Sequence, residues 1–352
     1  MRYSLFGESH GPAIGIVLQG VPSGLELDMD FIGAEMARRA PGKSPFATAR
    51  SEKDAVRIIS GVFEGRTCGT PLCGIIENTD TRSRDYAATR YLARPGHADF
   101  TAHLRYQGFE DYRGGGHFSG RLTAPLVFAG AVAKLLLRQK GVEVLARIKE
   151  TAGVADIPLD LARPDVEALR AAGRKAFAVV DDTRGEAMQK AILEARAEGD
   201  SVGGVIECFA LNLPAGRGGP DFDDNIETAI ARHVFAVPAV KGLAFGSGFG
   251  FASMRGSEAN DAFLPGEGIH TRTNHNGGIN GGISNGMPVV FSVIIKPTPS
   301  IGKEQDTVNM STGEAARLVI TGRHDPCILP RAVPVIEAAC ALALSEVMGE
   351  KA

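Results

Sequence analysis

Two stretches of this chain, 124–137 and 332–344, are apolar except for one charge in each, Lys134 and Glu337. Spanning a bilayer takes ~20 such residues in a row. Both are therefore expected as buried helices, and no membrane is expected as a partner. Thr123, with Pro125 in the first turn, marks the start of one helix and Gly141 its stop. The other is expected from about Arg331 to Met348, and 352 residues provide ample chain for the core around them.

The chain carries 44 glycines without a G-X-Y period, and 44% of it is hydrophobic, which excludes collagen-like and disordered classes. A net charge of -3 gives no global basic field, so no nucleic acid is expected and an anionic ligand must be caught by local charge. The five cysteines include no C-x-x-C pair, and the segment MRYSLFGESHG lacks the apolar core of a secretion signal. A reducing, cytoplasmic location is expected.

Strand signals fall at Ile14–Leu18, Arg57–Phe63, Gly74–Glu77, Val142–Ile148, Gly204–Leu211 and Val289–Ile295. Helices are expected from Asp28 to Arg39, Asp165 to Ala172, Glu186 to Ala197 and Asp223 to Phe235, and the spacing of Ser311 and Glu314 suggests a capping box before Arg317. The mixture predicts a single large domain without the regular alternation of a barrel or doubly wound sheet. Residues 242–286 hold twelve glycines and are expected to form functional loops.

Four elements carry chemistry. Gly7-Glu8-Ser9-His10-Gly11 matches the G-x-S-x-G nucleophile elbow of serine hydrolases, but the apolar run after it reads as strand where an elbow needs a helix. Arg94-Pro-Gly-His97-Ala-Asp99, with His103 behind, offers either a general acid or an H-x-D-x-x-x-H metal set; no complete metal shell is visible, and none is expected. Arg113-Gly-Gly-Gly-His117-Phe118-Ser119-Gly-Arg121 leads into the helix at 124, the arrangement of an anion cradle without a P-loop's G-K-[ST] ending. Gly322-Arg323-His324-Asp325 groups cation, imidazole and carboxylate, and Arg38 and Arg39 close the first helix, where they complement its dipole or bind an anion.

These motifs, together with FEGRTCGTPLCGIIENTDTRSRDY, AVKG at 239–242, GGISNG at 281–286 and KPTPSI at 296–301, occur in one order along nearly the whole chain and resemble the chorismate synthase family. The resemblance implies an α+β fold of the family's β-α-β sandwich type and a homotetramer. It implies the trans 1,4-elimination of phosphate from 5-enolpyruvylshikimate 3-phosphate, a carbon–oxygen lyase reaction giving chorismate with reduced FMN as cofactor. By the same resemblance His10 protonates the reduced flavin, His97 is the acid toward the departing phosphate, and Asp325 accepts a proton by way of the flavin. Flavin contacts fall on Ser9, His117, Phe118, Ser119, Pro238, Ala239, Gly281, Lys296, Pro297, Thr298, Pro299, Ser300 and Arg323. Substrate anions fall to Arg38, Arg39, Arg50, Arg113 and Arg121.

The chain departs from the family pattern at His117, where Arg is usual, and at Phe118, Gly120, Leu122, Pro238 and Pro45. A neutral His cannot replace a bidentate guanidinium. Gly246-Ser-Gly248-Phe-Gly250 lacks the context of a dinucleotide fingerprint, so an outside flavin reductase, rather than intrinsic use of NADPH, is expected to supply reduced flavin.

Overall fold

The computed structural model describes residues 1–42, 52–79, 89–221, 224–266, 268–320 and 325–349. Arg50, Arg323, Pro45 and Asp223 lie outside the described residues. Both apolar stretches form the expected helices, α3 at Thr123–Arg138 and a C-terminal helix at Leu329–Val347. With the short turn before it, the first reaches a continuous Gly120–Arg138, long and apolar enough to cross a membrane, but 83% of its apolar window is buried inside the protein.

The two helices pack on each other so closely at Gly130 that a Cβ there would overlap Ala338. α3 also packs on the strands Ala13–Gln19 and Leu72–Glu77, while the C-terminal helix packs on Glu143–Thr151 and Gly204–Leu211. The helical layer thus lies between two antiparallel sheets. One runs Arg2–Gly7, Ala13–Gln19, Leu72–Glu77, Arg57–Ser60; the other runs Val240–Phe245, Val289–Ile295, Gly204–Leu211, Glu143–Thr151, Val154–Ala155. This is the expected α+β sandwich, with one cluster of buried side chains running through both sheets and the helices between them.

The single charges of the two apolar helices meet. Lys134 Nζ donates to Glu337 Oε2 at 2.5 Å and also reaches Glu35, while Arg38 donates to both Glu337 oxygens at 2.6 and 2.8 Å. The backbone N–H of Ala146 donates to the same carboxylate at 3.0 Å. Buried charges are tolerated when paired and hydrogen-bonded, as these are.

Helix α1, Met29–Arg39, starts at Asp28, whose side chain accepts from Phe31 N at 2.9 Å. The expected helix after Ser311 does not form. Residues Gln305–Val308 and Ala315–Leu318 pair as a hairpin, because Asn309 Oδ1 accepts from Ser311 N at 2.9 Å and Gly313 turns with φ +74°. Asp99–Tyr106, where the sequence reading placed no element, forms helix α2.

Candidate functional site

The strands Arg2–Gly7 and Ala13–Gln19 pair antiparallel, so the residues carrying Ser9 and His10 form the turn of a hairpin. A nucleophile elbow is therefore not formed, and Ser9 is 1% exposed. Its backbone N–H donates to the Gly116 carbonyl at 3.1 Å, docking the hairpin turn on residues 113–118. There Gly114, Gly115 and Gly116 hold φ of +59°, +82° and +52°, the left-handed region open to glycine. A Cβ at Gly114 would overlap the His10 ring, and one at Gly115 would lie 2.9 Å from His97 Cε1 and 3.1 Å from its Nε2. Two imidazoles far apart in sequence thus lean on successive glycines of one turn.

His97 precedes α2. Its Nδ1 lies 2.9 Å from Asp99 Oδ1 and 3.1 Å from Arg94 Nη2, and Arg94 grips the Asp99 carboxylate with Nε at 2.7 Å and Nη2 at 2.6 Å. Burial raises the pKa of Asp99, but hydrogen bonds from Arg94 and His97 outweigh it and hold this carboxyl well below the usual range. His103 pairs instead with Glu110 at 3.1 Å, so the two histidines of the possible metal set serve different carboxylates. Among the described residues no metal-holding cluster occurs.

KPTPSI meets this element directly. Lys296 Nζ donates to the Gly96 carbonyl, and Ser300, which is buried, accepts from Arg94 Nη1 at 3.5 Å. Burial, then the neighbouring Lys241, lowers the pKa of Lys296. Ala239, with φ +73°, accepts from Lys296 N at 2.9 Å, beside an exposed Pro238. The Thr298 carbonyl accepts from Ser201 at 2.7 Å, but its buried Oγ1 finds no partner among the described residues. Pro299 lies over Gly96, and Pro297 over Gly203.

A cleft of about 370 Å³ opens above His97, Arg94 and Gly115, with Tyr106, Phe109, Phe118, Leu318 and Val319 as its apolar wall. Phe118 packs on Tyr106 with centroids 6.2 Å apart, and exposed His117 donates through Nδ1 to Gly7 O at 2.9 Å. Ser119 accepts from Arg121 N at 3.3 Å. Gly281 lies in the turn joining Ile279–Asn280 to Ile283–Ser284 and does not line the cleft.

The arginines divide. Arg39 is 1% exposed and donates to Asp54 at 2.6 Å, Thr123 at 3.1 Å and the Gly120 carbonyl at 2.9 Å. Arg121 meets the other Asp54 oxygen and lies 3.0 Å from Glu52. Burial, then Arg331, push Arg39 down to about 10. Burial raises the pKa of Asp54, but Arg39 and Arg121 bring it below its ordinary value. Arg331 donates to Asp325 at 2.7 Å and to the Arg39 carbonyl at 3.2 Å, which brings Asp325 to this cluster. Arg113 is held by Asp111, at 2.8 and 2.7 Å. Arg38 is bonded to Glu337 and Glu35, in the helical layer.

Asn78, unremarked within the ENTD run, joins the parts. Its Nδ2 donates to the carbonyls of Glu8 at 3.0 Å and Gly11 at 2.9 Å, and its Oδ1 accepts from Arg121 Nε at 3.1 Å. Asp54, which bridges two arginines, lies in no recognisable motif.

A sandwich of two antiparallel sheets around buried helices, with a half-apolar cleft lined by imidazoles, guanidiniums and carboxylates, defines an enzyme-type site for a small molecule. The chain belongs to the chorismate synthase family, whose profile matches residues 1–348. It is 45% identical over 349 residues to the chorismate synthase of Dehalococcoides mccartyi, covering 97% of this chain and 93% of the relative. Identity to that of Aeropyrum pernix is 47% over 349 residues, covering 99% and 90%. A crystal structure of chorismate synthase superimposes with a TM-score of 0.78 at 29% identity, covering 98% of this chain and 90% of the other.

Proposed function

We propose that this protein converts 5-enolpyruvylshikimate 3-phosphate to chorismate and phosphate by trans 1,4-elimination, using reduced FMN, as a single-domain subunit of a homotetramer. The observation that carries the reading is the convergence of His10 and His97 on Gly114 and Gly115, beside a cleft of about 370 Å³ with an apolar wall. In the reaction the C–O bond to phosphate and one ring C–H bond break, and one ring double bond is gained without net oxidation.

The lining of the cleft fits a flavin: Phe109, Phe118 and Leu318 offer an apolar wall, and Arg90 and Arg94 offer charge. Reduced FMN, when bound, supplies electron density to the allylic phosphate ester and recovers it. His97 holds a proton at Nε2 for the leaving phosphate, and a cation there meets charge where it develops. His10 holds a proton on the other side of the triglycine turn, beside Ser9. Asp325, fixed by Arg331, takes up the released proton. Arg39 and Arg121, each paired with Asp54, act on the substrate through their field, and Arg113, held by Asp111, completes the set of cations for its anions.

The test is an anaerobic assay with reduced FMN and 5-enolpyruvylshikimate 3-phosphate, in which phosphate and chorismate are followed together. Equal, flavin-dependent release of both is expected; tight flavin binding without turnover overturns the reading. We further propose a cytoplasmic location, in keeping with five free cysteines, and reduction of the flavin by a separate reductase. The strand Val240–Phe245 leads into a short 3-10 turn rather than the helix of a dinucleotide site. NADPH with oxidised FMN and this protein alone is expected to give no turnover.

A further inference from the structure

We propose that Asp99 is a positioning residue for the acid step: fixed by Arg94, it holds a proton on Nδ1 of His97, so that Nε2–H is the proton presented across Gly115 to the cleft. The inference rests on His97 as the acid of the proposed reaction. Its basis is that one nitrogen, Nδ1, has two partners of opposite character, Asp99 Oδ1 at 2.9 Å and Arg94 Nη2 at 3.1 Å.

Arginine donates and never accepts, and an ionised carboxylate accepts and never donates. When His97 is an imidazolium, Nδ1–H donates to Asp99 and Nε2–H faces the Gly115 side. Once Nε2 has given its proton to phosphate, Nδ1–H remains bonded to Asp99. The ring therefore keeps a partner in every state without turning. Arg94 in turn fixes the carboxylate, donating to Oδ2 from its backbone N–H at 3.0 Å and from Nε at 2.7 Å. The absent side chain at Gly115 keeps the path from Nε2 open, since a Cβ there would come within 3.1 Å of it.

Other charges face this ring from neighbouring elements: Lys296 through Gly96, and Glu8, Arg90, Glu110, Asp111 and His117 around the cleft. All of them stay in place in Asp99→Asn, so a change in pH dependence reports the one carboxylate. Asp99→Asn is expected to lower kcat by roughly 10- to 10²-fold, part of the ~10²–10⁴ that a general acid supplies, with KM little altered. The alkaline limb of its kcat profile is expected at lower pH than in the parent, because the imidazolium has lost its anion. Asp99→Glu is expected to recover part of the rate.

An unchanged profile and rate in Asp99→Asn overturns the proposal. If His97→Ala turns over normally, it is the acid assignment itself that fails. A second measurement needs no stable Asp99 variant: in histidine-labelled parent protein, the His97 signals, assigned by their loss in His97→Gln, are expected to show a proton on Nδ1 in both charge states, with Nε2 the nitrogen that loses its proton. A neutral His97 protonated on Nε2, with Nδ1 bare, would also overturn the proposal.

Discussion

Lys134 and Glu337 lie 2.5 Å apart in the helical layer, each the single charge of its apolar run. Burial raises the pKa of Glu337, but Arg38 and Lys134 hold the carboxyl below its ordinary 4.5. A carboxyl depressed on folding adds stability above its unfolded pKa and loses it as pH falls through the folded value. Glu337→Gln is expected to cost ~3–5 kcal/mol at neutral pH, the usual loss when one partner of a buried pair is removed. Its melting temperature should fall less steeply than the parent's on acidification below pH 4.5. Thermal melts at several pH values check both, and parallel curves would show that Glu337 carries no such linkage.

Asn78 ties the hairpin turn holding His10 to Arg121, with its amide donating to two carbonyls and accepting from a guanidinium. Asn78→Ala is expected to reduce turnover ~10-fold, with about 1 kcal/mol lost per hydrogen bond removed. Asn78→Asp keeps the Arg121 contact but turns a carboxylate on the carbonyls of Glu8 and Gly11, so it is expected to be no better. Steady-state rates of the two variants decide whether the amide donor or the Arg121 contact matters.

Gly115→Ala and Gly141→Ala make a matched pair. Both glycines hold positive φ, +82° and +75°, but a Cβ at Gly141 would have nothing within 4 Å, whereas one at Gly115 would meet His97. Each change is expected to cost about 1 kcal/mol or more for the left-handed backbone. Only Gly115→Ala is expected to lose turnover, by at least ~10-fold, because the new methyl covers the acid. Rates compared at matched stability distinguish the two.

The parts of this fold that were legible beforehand share a cause. Gly204–Leu211 and Val289–Ile295 stand where their apolar, β-branched runs placed them, since both are central strands. Arg2–Gly7 escaped notice because its edge strand holds no β-branched residue. The Ser311 and Glu314 spacing misled because local turn bonds take the place of a cap: Asn309 Oδ1 accepts from Ser311 N, and Thr312 Oγ1 donates to Glu314. At the site, His10 and His97 were legible within local motifs. Their supports were legible only in part: Arg39 and Arg121 were named, but Asp54 and Asn78, which join them into one bonded chain, meet them only after the sheet and α3 come together.

Phe118 stands where the family pattern has a small polar residue, and it packs on Tyr106 at the rim of the cleft, 38% exposed. An aromatic contact of this kind is worth ~0.5–1.5 kcal/mol beyond its area, or roughly a 2- to 13-fold change in Kd. Phe118→Ser is therefore expected to weaken FMN binding by that factor, while Phe118→Tyr holds it. Quenching of flavin fluorescence gives Kd directly, apart from turnover. An unchanged Kd in Phe118→Ser would leave Phe118 a packing partner of Tyr106 with no part in holding the cofactor; a loss restored by Phe118→Tyr would make the ring itself an added wall of the flavin site.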